Sequence, residues 1–253
     1  MNCPYCNTEV PDGREICPNN DCYRPLKPLP IPPGGKIKFG GYDWYILEKQ
    51  DNKMLVLTEK VIEKRVYNGN EFEFTWETCD MRKYLNEDFY NSFSEPDRAR
   101  IIETINKNND NPWYGTSGGN PTTDKIFLLS IEEVVKYFGD NGQLKTKHIN
   151  LGCDWCKDEF FPWIDGQYNI NRRAVDDSGM VVSWRLRSPG ANGRLAAMVM
   201  GNCDDEFEHG GINVAGGGSD ISPEGHFLFD TSDVLDVIKS TNGLRPALWL
   251  RSK

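Results

Sequence analysis

Between Lys36 and Glu59, short apolar or aromatic runs alternate with glycine-rich or polar breaks. Lys36 to Phe39, Tyr42 to Glu48 and Met54 to Glu59 are separated by Gly40-Gly41 and Gln50-Asp51-Asn52, which predicts a strand pair or a three-stranded meander. The period then lengthens. Met81, Tyr84, Leu85, Phe89 and Phe93 recur at three-to-four spacing, which predicts a helix over Cys79 to Phe93 with a break near Asn86. Ser94-Glu95-Pro96-Asp97 predicts a short helix with serine as its cap and proline in its first turn. Ile101 to Ile105 reads as a strand, Asn106 to Asn120 as a polar loop, and Lys125 to Leu129 as a buried strand. Ser130 followed by Glu133 is a capping box that opens a helix ending at Phe138.

The last third is framed by two apolar, arginine-bearing segments, Trp184 to Gly190 and Gly243 to Leu250, each with a proline and each expected to be a strand. Between them lies a run rich in Gly, Asn, Asp and Ser, with short apolar pieces at Ala196 to Met200 and Ile212 to Val214. Strands and short helices follow one another without a regular strand–helix alternation, so the fold class is mixed α+β. Arg187 and Arg245 are expected to be structural, bonding buried carbonyls or a carboxylate across the fold.

Cysteine spacing adds a second module. Cys3-Pro4-Tyr5-Cys6 and the pair Cys17 and Cys22 form two knuckles joined through Asp12-Gly13, a turn signal that folds one onto the other. Four thiolates so placed suit a tetrahedral zinc ion; two disulfides or four free thiols are the other readings. The second knuckle has four intervening residues where two are usual, so its turn must be looser. Residues 1–24 are thus expected to be a small zinc module whose folding energy comes mostly from the metal. Residues 25–35, with five prolines and Gly34-Gly35, read as a semi-rigid linker, and residues 36–253 as the main domain.

The 253 residues are 38% hydrophobic and carry a net charge of −9, which favours a folded core and argues against general nucleic-acid or anionic-membrane binding. No signal peptide and no apolar run near the roughly 20 residues of a membrane span is visible, so a cytoplasmic protein is expected. Cys153 and Cys156 are a second candidate metal pair, with His148, Cys203 and His209 as further ligands; a redox disulfide or bland thiols fit the same spacing. Asp204, Asp205, Glu206 and Glu208 offer hard oxygen ligands for calcium, and read more simply as a solvated acidic loop. The histidines His148, His209 and His226 sit in no nucleophile or metalloprotease motif, and no phosphate-cradling P-loop is present.

Two resemblances bear on these expectations. The first 22 residues or so resemble the minimal zinc ribbon found at the start of many bacterial proteins, through Cys-Pro-x-Cys, Val10-Pro11-Asp12-Gly13 and the second Cys-Pro. From Lys36 onward the chain looks like an uncharacterised bacterial domain family. Phe39 to Trp44, Leu57-Thr58-Glu59, Thr75-Trp76-Glu77, Arg82 to Asn86 with Phe89-Tyr90, Thr122 to Ser130, Leu186 to Gly190 and Leu244 to Trp249 carry that likeness. Its order of elements is similar to the C-type-lectin-like fold of formylglycine-generating-enzyme type, which also serves as the variable protein of diversity-generating retroelements. That resemblance implies a C-type-lectin-like domain whose C-terminal loops bind ligands. Trp184-Arg185 replaces the two tryptophans of many relatives, and Phe227 to Thr241 looks like an insertion.

The expected function is non-enzymatic recognition of a protein or carbohydrate by polar loops on this scaffold. The residues expected to point outward are Asn192, Arg194, Asn202, Asp204, Asp205, Glu206, Glu208, His209, Asn213, Ser219, Asp220, Ser222 and His226, with Trp184 and Phe207 as aromatic anchors. Two alternatives stand beside it. One is a cysteine-dependent enzyme, such as a formylglycine-generating-type oxidase using Cys153 and Cys156; the other is a scaffold that recruits a protein partner through the zinc ribbon.

Overall fold

A computed structural model describes residues 1–69, 72–147, 163–201, 210–216 and 242–252. The alternating start of the main domain forms β1 (Lys36–Phe39), β2 (Tyr42–Gln50) and β3 (Lys53–Thr58), an antiparallel meander as the pattern predicted. Gly40, at φ +56°, makes the first turn, and a Cβ there would run into the Phe93 ring. Two later strands complete a five-stranded sheet in the order β1-β2-β3-β13-β5, with β13 at Ala247–Arg251 and β5 at Ile101–Ile102.

The helical stretch keeps its predicted break. Cys79 caps α1 (Asp80–Tyr84), one π-helical turn follows at Leu85–Phe89, and α2 (Tyr90–Ser92) ends the run. Ser94 caps α3 (Glu95–Arg98). The π turn coincides with an outward task for Asn86. Its Oδ1 accepts the Lys125 N–H at 2.7 Å, and its Nδ2 donates to the Ile126 carbonyl at 2.9 Å. This corrects the strand expected over Lys125 to Leu129. That segment is buried from Ile126 to Leu129, but it makes only one isolated bridge, Phe127 to Ala247, because a side-chain amide does part of the work of a neighbouring strand. The Ile101 to Ile105 strand is corrected too: it divides into β5 and β6 (Thr104–Asn106), and β6 pairs with β7 (Thr122–Asp124) in a separate two-stranded ribbon. Helix α4 (Ile131–Phe138) starts at the predicted capping box, which is present in both directions, and stops at Gly139.

The second sheet runs β4-β12-β9-β10-β11-β8. Its members are β4 (Glu63–Arg65), β8 (Trp163–Ile164), β9 (Trp184–Pro189), β10 (Ala196–Val199), β11 (Ile212–Asn213) and β12 (Asn242–Leu244). The single strand expected over Gly243 to Leu250 is therefore two strands in two sheets. Arg245-Pro246 makes the break: proline has no N–H for a ladder, and its carbonyl instead accepts the Thr58 N–H at 3.0 Å. Gly243 is needed where β12 meets β9, because a Cβ there would lie 2.4 Å from the Ser183 carbonyl oxygen. Short helices α5 (Gln143–Thr146) and α6 (Asn169–Arg172) fill the space before β9.

One continuous apolar core joins both sheets and α4, from Trp44 and Leu57 through Phe127 to Trp184, Leu186 and Leu248. Polar groups inside it are paired with care. The Asp124 carboxylate, 1% exposed, accepts Trp76 Nε1 at 3.0 Å, Asn106 Nδ2 at 2.9 Å, Thr122 Oγ1 at 2.7 Å and Arg82 Nε at 2.6 Å. The polar loop of residues 106–120 is anchored the same way. Asn111 donates to the carbonyls of Pro189 and Val214, and its Oδ1 accepts the N–H groups of Trp113 and Tyr114.

Candidate metal centre and recognition surface

At the N-terminus the two cysteine knuckles close on one another. Asn7, at φ 61°, returns its N–H to the Cys3 carbonyl, and the Tyr5 N–H points at the Cys3 sulfur from 3.5 Å. The longer second knuckle is closed by Asn19. Its carbonyl accepts the N–H groups of Cys22 and Tyr23, its Oδ1 accepts that of Asp21, and its Nδ2 reaches Thr8 in the first knuckle. The four sulfurs all lie within 4.8 Å of one another. Cys3 and Cys22 sulfurs are 3.8 Å apart, and those of Cys6 and Cys17 are 3.5 Å apart. A disulfide needs about 2.05 Å, so these are free thiols. Four thiolates around one ion with metal–sulfur bonds of about 2.3 Å would sit about 3.8 Å apart on each edge, a spacing that the Cys3–Cys22 and Cys6–Cys17 pairs approach.

The electrostatics point the same way. Burial pushes the Cys17 thiol up to about 12 and raises Cys22, so neither becomes a thiolate at neutral pH unless a cation compensates. The exposed Cys6 thiol is drawn down to about 6 by its hydrogen bonding with Thr8. Cys3, Cys6, Cys17 and Cys22 thus fit a tetrahedral metal ion as a donor set, and a small cluster of Cys3, Val10, Cys17, Cys22 and Leu26 is all the core the module has.

The module does not stand off from the main domain on its proline segment. Ile16 and Tyr23 pack with Val181, and Val175 and Met180 lie against them. The Val181 N–H donates to the Tyr23 carbonyl at 3.0 Å, and Arg173 Nη1 pairs with Glu15 at 2.7 Å. The receiving element is a tight loop, Val175 to Val181, closed through Asp176-Asp177-Ser178-Gly179, and the chain leads from it directly into β9. The apolar residues flanking this Asp-Asp-Ser-Gly turn were the available sequence signal for docking.

Both expected structural arginines have that role. Arg187, 5% exposed, donates to the Leu128 carbonyl at 2.7 Å and grips Glu133 with both terminal nitrogens, tying β9 to α4. Arg245 is fully buried. It donates to the carbonyls of Thr58 and Glu59, and its guanidinium faces the Trp184 ring from 4.9 Å. Sequence reasoning missed two more: Arg172 donates to the carbonyls of Ile164, Gly210 and Gly139, and Arg185 to that of Ala196. Burial lowers Arg172, Arg185 and Arg245 to about 10 each, which still leaves them charged at neutral pH.

Two expected contact residues are corrected. Trp184 is fully buried, with its indole N–H on the Arg172 carbonyl at 3.0 Å, so it anchors the core and not a ligand. Asn213 is 6% exposed, and its Oδ1 accepts the Gly216 N–H at the end of the β11 turn. Asn192 and Arg194 are exposed as expected, on a turn where Asn192 Oδ1 accepts the Arg194 N–H. That turn is joined to a segment no sequence signal singled out: the Phe74 N–H donates to the Gly193 carbonyl at 2.7 Å, the Glu73 side chain lies against Gly193, and the Phe72 ring is 77% exposed. Asn202, Asp204, Asp205, Glu206, Phe207, Glu208, His209, Ser219, Asp220, Ser222 and His226 lie outside the described residues, as do His148, Cys153, Cys156 and Cys203.

Beyond the ribbon, Cys79 is the one cysteine among the described residues; full burial pushes its thiol up to about 12, so it offers no nucleophile. No helix among the described residues is long and apolar enough to cross a membrane. No curated protein and no solved structure matches the chain. Residues 51–252, from β3 to the end of β13, match the family model described as Domain of unknown function (DUF6273), and the chain belongs to that family.

Proposed function

We propose that this protein is a non-enzymatic recognition module: a C-type-lectin-like α+β domain that binds a protein or carbohydrate ligand through polar loops, stabilised by a structural zinc ion in the docked N-terminal ribbon. The observation that supports it best is that two exposed segments, one carrying Phe72 and Glu73 and the other Asn192 and Arg194, are joined by the Phe74–Gly193 backbone hydrogen bond, which brings an exposed aromatic residue, a carboxylate, an amide and a guanidinium to one region of the surface. Such mixtures of one rigid apolar anchor and adaptable polar groups are what binding surfaces use. The rigid strands below, pinned by Arg187 and Arg245, hold that patch without taking part in it. The sequence between Asn202 and His226 extends the same polar composition, and on this reading it widens the contact surface.

Zinc is the natural ion for four thiolates in a tetrahedron. Elemental analysis of the purified chain is expected to give one zinc per chain. For recognition, wild type and a Phe72→Ala/Arg194→Ala variant are compared on an array of glycans and bacterial surface proteins. A ligand retained by wild type and lost by the folded variant supports the reading. Equal binding by both proteins, or no ligand on either arm, defeats it. If this domain is the target of a diversity-generating retroelement, the neighbouring DNA carries a reverse transcriptase and a near-copy of the codons for residues 184–250.

A second reading has its own support. Tyr5, at the tip of the first knuckle, is 55% exposed, with Arg24 stacked 5.1 Å from its ring centre, on a part of the ribbon not used for docking through Ile16 and Tyr23. A ribbon that recruits a partner protein would present such a group, and a Tyr5→Ala pull-down separates this reading from the first.

A further inference from the structure

The four cysteines of the ribbon are not equivalent. Cys3, Cys17 and Cys22 are buried, at 3%, 1% and 7% exposure, while Cys6 lies open to solvent. The Cys6 sulfur is 3.5 Å from that of Cys17 on the other knuckle. One sulfur can therefore be reached from outside, and a buried one stands close enough to react with it next.

The second knuckle is also the one that carries the docking contacts. Glu15 pairs with Arg173, Ile16 packs with Val181, and the Tyr23 carbonyl accepts the Val181 N–H. Each of these three residues stands within two positions of Cys17 or Cys22. Tyr23 directly follows Cys22 and has φ +43°, a left-handed conformation that so large a side chain adopts only where its surroundings impose it. The Cys22 and Tyr23 N–H groups both go to the Asn19 carbonyl. The turn that sets Tyr23 for docking is thus the same turn that brings the Cys22 sulfur to the other three.

We propose that Cys6 and Cys17 are a reversible site of oxidation by hydrogen peroxide, and that this modification undocks the ribbon from the main domain. The inference rests on the reading of the four cysteines as a zinc site. The Cys6 sulfur attacks one peroxide oxygen: an S–O bond forms, the O–O bond breaks, and hydroxide leaves. The Cys17 sulfur then attacks the oxidised Cys6 sulfur, forming the S–S bond and expelling a second hydroxide. Both hydroxides take protons from solvent and become water, and two electrons have passed from the sulfurs to the peroxide. Cys3 and Cys22 take up protons as thiols, and two donors are too few to retain the ion. The apolar cluster of Cys3, Val10, Cys17 and Cys22, with Leu26 against it, does not hold the second knuckle in its place. Val175, Met180 and Val181, just ahead of β9, are then uncovered.

The test treats the full metal-loaded chain with hydrogen peroxide. A colorimetric zinc indicator follows the ion, peptide mapping the disulfide, and amide hydrogen exchange the docking loop. Zinc is expected to leave in step with a Cys6–Cys17 disulfide, and exchange at Val181 to rise at least tenfold. Reductant with added zinc should restore both. Cys6→His keeps a donor at the exposed position but removes its oxidisable sulfur, so zinc loss should slow at least tenfold. A chain purified without metal overturns the zinc reading and this inference together. Zinc retained through the treatment, a disulfide that leaves out Cys6, or unchanged exchange at Val181 after zinc release overturns this inference alone. Those wild-type readouts decide the matter even where Cys6→His does not load zinc, and a loaded Cys6→His that loses zinc as fast as wild type also overturns it.

Discussion

The ribbon and the main domain solve the same problem by opposite means. The ribbon's own cluster buries three cysteines, Cys3, Cys17 and Cys22, and one valine, too little to hold a chain of that length without a cross-link. The described residues of the main domain bury a contiguous core of large aromatic and aliphatic side chains across two sheets. One module is organised by four sulfurs within 4.8 Å, the other by packing and by buried polar hubs such as Asp124. The contacts that join them include the Arg173–Glu15 ion pair, the Val181–Tyr23 backbone hydrogen bond and the apolar cluster around Tyr23 and Val181. Stability that comes from a metal is switchable by chemistry outside the protein; stability that comes from a core is not.

The contrast can be broken most sharply at the metal. Chelation, or Cys17→Ser, is expected to remove the bound ion and unfold residues 1–24 completely, since structural sites of this kind contribute about 10 kcal/mol to their modules. The main domain should remain folded, with a melting temperature lower by a few degrees as the Tyr23–Val181 packing is lost. Amide hydrogen exchange resolved by residue reads both effects at once; main-domain amides exchanging as fast as ribbon amides would abolish the distinction. The converse change is Asp124→Ala. It strands the Arg82 guanidinium and three neutral donors, and is expected to cost the domain about 3–5 kcal/mol in denaturant unfolding while metal content stays at one per chain.

A milder change probes the seam itself. Glu15→Ala removes the carboxylate from Arg173, whose side chain is only 8% exposed, and should cost about 1 kcal/mol, read as faster exchange at Val181 with little change elsewhere. The smallest effect is one of pH. Glu48 in β2 accepts hydrogen bonds from Lys136 and Tyr137 of α4, and these hold its carboxyl down from 4.5 to about 2. A carboxyl depressed in the folded state stabilises above its unfolded value, so this contribution is present above pH 4.5 and is lost as pH falls towards 2. Glu48→Gln should flatten that part of the acid titration of the main domain and leave the neutral-pH metal site untouched.

Much of this contrast was legible in residue order, and the exceptions share a cause. The knuckles, the β1–β3 meander, the capping box and the break near Asn86 are local: each is written within one short stretch of chain by spacing, a cap or a turn. The Lys125 to Leu129 segment misled because its apolar run is right for a strand, while its hydrogen bonds go to Asn86, which is 39 residues earlier. Gly243 to Leu250 misled because only the three-dimensional arrangement shows that Pro246 hands the chain from one sheet to another. Trp184 is aromatic and flanks a polar run, and nothing local distinguishes an anchor for a ligand from an anchor for Arg245. Ribbon docking was the largest omission. Ile16, Tyr23, Val175 and Val181 are unremarkable singly, and only their meeting across some 160 residues gives them meaning.

The division of residues 242–251 between the two sheets has a consequence for how the molecule is made. β13 lies between β3 and β5, and β12 lies between β4 and β9, so each sheet has a late-translated strand in its interior. Synthesis runs from the amino end, and neither sheet can close while those ten residues are still inside the ribosome. The four cysteines of the ribbon that could share a metal ion all lie within its first 22 residues. The ribbon can be finished while the rest of the chain is a nascent, open half-structure, and its Ile16–Tyr23 face then waits for Val181 to arrive. The cysteine knuckles can therefore close before either sheet does.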